Sequence, residues 1–211
     1  MKIIFAAGFS ALAVLVAGLF SALMMRPGLH VMGVLLPRQV WLVEHAWIWR
    51  LGWWLWLLAL FSWMLLLVAL IWGYIPAHRI ATMLQSGLIL LAAALTIAGV
   101  AFWMQGLPWA ANQQNAYELV LLVDTLALGL MGAGLFMGGA VTLWLAVDLM
   151  RQPTLPGWWM APAVVAGLSA LPSPFLLPRG AHLILAGVAW LFWCLLLATR
   201  RQLPSAFSEW R

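Results

Sequence analysis

Charge is what this chain has least of. Asp, Glu, Lys and Arg make up 7% of its 211 residues and apolar types 66%, where an ordinary soluble domain carries about 25% charged residues. Too little charge is available to cover a water-facing surface, so a soluble fold is excluded. Cysteine is nearly absent as well: Cys194 stands alone in an apolar run, which rules out an intrachain disulfide and a cysteine-based metal cluster and leaves the thiol as a small hydrophobe. Several signatures of chemistry are missing from the sequence, namely a serine nucleophile elbow, a phosphate-binding glycine loop, HExxH, CxxCH and an H-x-x-x-H pair. The net charge of +5 is carried by cations scattered singly at the ends of apolar segments. That pattern reads as membrane orientation and headgroup contact, and no nucleic-acid patch is present.

Long apolar runs are abundant. Residues 40–73 hold half of the 16 Trp, and Trp41, Trp47, Trp49, Trp53, Trp54 and Trp56 crowd the start of that run beside Glu44, His45 and Arg50. Indole rings favour the headgroup level, so this collar marks a membrane boundary. A helix needs roughly 20 apolar residues to cross a hydrocarbon core. On that measure the chain reads as one all-α, polytopic membrane bundle with six spans, approximately 3–25, 51–75, 80–104, 119–147, 158–177 and 182–199. An interfacial helix starting near Pro37 precedes the second span, and Gly52 marks the bend between them. The first run is too long for a signal-peptide core and lacks an A-x-A site, so it reads as a retained span. The hydrophilic stretch 105–118 reads as a loop. Leu35-Leu36-Pro37-Arg38 and Leu176-Leu177-Pro178-Arg179 form a faint repeat, with no other period to support an inverted-repeat transporter.

Small residues set the expected packing. Gly134, Gly138, Thr142 and Ala146 recur every four residues along the fourth span, and Gln85, Ala92, Thr96 and Gly99 share a face of the third. In lipid, helices associate where small side chains let backbones approach, so these two spans are expected to be antiparallel neighbours. Pro172 and Pro174 make the fifth segment the least regular.

With six spans, Lys2, Arg79, Arg151, Arg200, Arg201 and Arg211 share one side, against Arg26, Arg38, Arg50 and Arg179. The positive-inside rule then places both termini in the cytoplasm of a bacterial-type inner membrane. If the fifth segment does not cross, only the C-terminus stays there.

Few groups remain for chemistry. Asp124 is the deepest carboxylate, expected to be an anchor in headgroup water, so that Asp124→Asn leaves folding intact; Asp148 pairs with Arg151 on the same helix. His30, His45 and His182 fall on one face and are the residues that would ligate a haem; no cluster suggests a metal. The reading is a non-catalytic accessory-type component that binds lipid and a membrane protein partner, a second copy, or a lipid-like ligand. Two alternatives stand beside it: a small permease with a pathway along Gln85, Thr96 and Asp124, and a cofactor-bearing electron-transfer subunit.

Overall fold

A computed structural model describes residues 3–31, 33–75, 80–152 and 156–199. The turn with Pro76, His78 and Arg79, the turn at Pro153, Lys2, and the tail with Arg200, Arg201 and Arg211 lie outside the described residues. Within them every regular element is helical. Helix α1 is Ile3–Phe20, continued by a wide π turn Ser21–Met25; α2 is Leu35–Glu44 and α3 is Ala46–Tyr74. Helix α4, Ile80–Ala101, runs through a second π turn, Phe102–Gly106, into α5, Leu107–Ala111. Helix α6 is Ala116–Met150, a 3-10 turn Gly157–Met160 leads into α7, Ala161–Ala170, the short α8 is Ser173–Leu176, and α9 is Ala181–Thr199. Among the described residues five stretches are long and apolar enough to cross a membrane: 3–25, 46–74, 80–111, 116–150 and 181–199. The chain is therefore a multi-pass membrane protein of the all-α bundle type.

Antiparallel pairs build the bundle. Along α1 and α3, Gly73 meets Ile3, Ser62 bonds Ser10, Trp56 bonds Ser21 and Gly52 meets Met25. Along α4 and α6, Gln85 bonds Asp148, Gly134 lies against Thr96 and Ala92, and Gly99 lies against Ala127 and Met131. The expected third–fourth span seam is thus present, and a side chain at Gly134 or Gly99 has no room. Helix α6 is packed on its other side too. A Cβ at Gly139 would lie 2.9 Å from Ala170 Cβ, and one at Gly167 would lie 2.9 Å from the Leu143 nitrogen, so α7 runs antiparallel to α6. Gly138 faces Trp63 of α3, which makes α6 the central helix.

Both π turns have a covalent cause. Proline has no N–H, and its ring crowds the carbonyl four residues earlier, which opens the ladder at that point. For Pro27 that carbonyl belongs to Leu23 and for Pro108 to Met104, the middle residues of the two π turns.

Several boundaries differ from the sequence reading. The bend before α3 falls at His45, whose φ of −118° and ψ of 30° leave the helical region; Gly52 is inside α3 and gives Met25 its seat. Residues 105–111, read as loop, continue the α4 rod, because Pro108 is tolerated in the first turn of α5. The aromatic collar divides: Trp47 and Trp54 are exposed, whereas Trp49 is completely buried and Trp53 nearly so. The fifth segment is broken: a ten-residue α-helix follows its 3-10 turn and ends at Ala170, where Pro172 and Pro174 remove donors, and the short α8 follows it.

Candidate functional site

Helix α2 is built inside out. Leu36, Val40 and Val43 face outward, while Arg38 is 3% exposed and points into the bundle. The guanidinium grips Asp124 of α6 with both terminal nitrogens, at 2.5 and 2.9 Å. Its Nε donates to the Gly28 carbonyl oxygen at 2.7 Å, and Trp103 Nε1 donates to the same carboxylate at 2.9 Å. Two buried charges repay their desolvation only with this kind of geometry: a two-pronged fork and further bonds to the remaining lone pairs. Gly28 is required where it stands, since a Cβ there would lie 2.5 Å from the Trp41 ring and 2.8 Å from the Trp49 ring.

Indole rings enclose the pair. Trp49 donates to the Trp103 carbonyl oxygen at 2.7 Å, and Trp49, Trp53 and Trp103 pack in tilted contacts with centroids 5.0–5.8 Å apart. Helix α2 is tied over this cluster by the Arg38 fork, by Gln39 Nε2 donating to the Ala111 carbonyl oxygen at 2.9 Å, and by fully buried Leu42.

Asp124 as a solvated anchor is overturned: its exposure is 4% and its oxygens are taken by Arg38 and Trp103. Asp124→Asn therefore breaks a buried pair. The other sequence candidates are not brought to one place. Gln85 donates to Asp148 at 2.8 Å at the far end of α6, with Arg151 4.0 Å from that carboxylate. Thr96 lies midway in the packed α4–α6 seam and donates to the Ala92 carbonyl oxygen. Thr142 does the same to Gly138, and Ala146 is fully buried. His45 stacks on Trp41 and reaches its carbonyl, His182 meets Ser173 Oγ at 3.1 Å, and His30 is exposed. Each histidine of that proposed set has separate surroundings, and among the described residues no three His, Cys, Asp or Glu side chains group to hold a metal.

Sequence reasoning missed Arg38, Gly28, Trp49 and Trp103. Pro27 and Pro108 offered a signal, because each predicts a helix irregularity four residues upstream, and both irregularities adjoin this cluster. The arrangement is that of a multi-pass helical membrane protein. No protein family, curated protein or solved structure matches the chain.

Proposed function

We propose that this protein is a non-catalytic accessory component of a bacterial-type inner membrane, acting through a membrane partner or a lipid-like ligand. The observation that carries this reading is that the most buried acid among the described residues, Asp124, has both oxygens engaged by Arg38 and Trp103 in a structural pair. Outward faces supply the binding surface instead: Phe5, Phe9 and Leu12 on α1 and Ile184, Val188 and Phe192 on α9 are exposed. In this reading α2 lies in the interface and α7 with its 3-10 lead makes a thin sixth crossing. The C-terminus is cytoplasmic, and the N-terminus with it.

Two measurements test the reading. The purified protein should show no haem absorption band, and a visible band lost on His45→Ala or His182→Ala would support the cofactor alternative. In liposomes no solute or proton flux is expected, and a flux abolished by Gln85→Ala would support the permease. For the threading, Cys at Arg179 should label from the periplasmic side and Cys at Arg151 from the cytoplasmic side.

A further inference from the structure

We propose that the cluster of Met25, Trp49, Trp53 and Trp103 beneath α2 is a binding site for a lipid-soluble molecule with one hydrogen-bond acceptor, a carbonyl or ether oxygen, which takes the indole N–H of Trp53. This deepens the accessory reading and rests on it, by naming the class of lipid-like ligand and where it sits.

The first observation is an unmade hydrogen bond. Trp53 is 8% exposed, and among the described residues its Nε1 has no partner. Its two ring neighbours are both satisfied, Trp49 by the Trp103 carbonyl oxygen and Trp103 by Asp124. Buried donors are rarely left in this state, because the lost water bond is not replaced. An apolar surrounding with a single free donor is the composition that small-molecule sites share.

The second observation is independent of the first. Both π turns of the described chain carry residues of this cluster, Met25 in one and Trp103 in the other. Opened by Pro27 and Pro108, these turns offset Met25 and Trp103 from the line that a regular helix would keep, and turns of this kind recur at functional sites. Met25, seated on Gly52, is the most adaptable occupant available: an unbranched thioether that moves aside without leaving its helix.

Access is also provided for. Helix α2 meets α3 through the single non-helical residue His45 and is held mainly by the Arg38 fork, Gln39 and Leu42. Opening swings α2 on that joint and breaks the Arg38 fork, so the open form is a minor state that the ligand must stabilise. Trp193 supplies the contrast. Its Nε1 likewise has no partner among the described residues, but the core cluster to which it belongs contains no residue of either π turn.

The test uses a long-chain ketone bearing a diazirine and an alkyne, photolysed with the full chain in nanodiscs and mapped by mass spectrometry. Labels are expected on peptides containing Met25, Trp53 and Trp103, displaced by excess plain ketone and not by the alkane of equal length. Trp53→Phe should cut this labelling about fivefold, the scale of one neutral hydrogen bond, while Trp193→Phe leaves it unchanged and thermal stability is kept in both. Labels confined to outward α1 and α9 residues, or equal competition by ketone and alkane, would overturn the site. The competition arm decides the matter even if Trp53→Phe does not fold. Partner recovery is read separately, so a retained partner without cluster labelling rejects the site and leaves the accessory reading standing.

Discussion

The two ends of α6 solve the same problem with different chemistry. Near Asp124 the bundle is held by charge and indole rings: one fork, a run of aromatic contacts and two π turns. Toward Asp148 it is held by shape. There the core is Leu66, Leu70, Ile89, Leu145, Leu149 and Ala163, with a neutral knot in which Trp190 and Ser62 both donate to Ser10 Oγ. Close packing is a gain shared over many small contacts, whereas a buried pair is concentrated in a few bonds and fails when one is removed. The Asp124 end is thus specific and brittle, and the other end is tolerant.

The largest effect should come from cutting the pair. Arg38→Ala or Asp124→Asn is expected to lower unfolding stability in detergent by about 3–5 kcal/mol, because the partner is left buried without its counter-charge. Replacing both together, Arg38→Met with Asp124→Leu, should recover most of that loss. If the double variant is no better than the single ones, the fork does more than neutralise charge. Next come the close approaches. Gly134→Leu, forced against Thr96 and Ala92, should cost about 1–3 kcal/mol, and Gly28→Ala, driven into two indole rings, a similar amount. Gly129→Leu, with nothing within 4 Å, should be silent, and equal melting temperatures for Gly134→Leu and Gly129→Leu would mean that the seam does not govern stability. Smallest is the neutral knot: Ser10→Ala should cost about 1–2 kcal/mol by leaving Trp190 unpaired. A loss there as large as at Arg38 would erase the distinction between the two ends.

How much was legible beforehand divides along the same line. The shape-held features repeat locally, so Gly134, Gly138, Thr142 and Ala146 could be read from spacing, and the antiparallel α4–α6 seam with them. Prolines at 172 and 174 placed the end of α7. The pair was illegible because Arg38 and Asp124 stand 86 positions apart, and neither sequence neighbourhood names the other. Helix α2 misled for a related reason: in water its arginine would face out, and only a lipid exterior with a carboxylate inside reverses that. The tryptophan collar read as anchors because composition does not distinguish Trp47 from Trp49, two positions along one helix yet on opposite sides of it.

That separation along the chain also imposes an order on assembly. Ribosomes add roughly 5–20 residues per second, so Arg38 emerges on the order of ten seconds before Asp124. During that interval the guanidinium lacks the counter-charge that it has in the finished fold. Only when α6 arrives can the arginine turn inward and α2 close. The first spans therefore cannot be completed on their own, and α2 is the element that closes last.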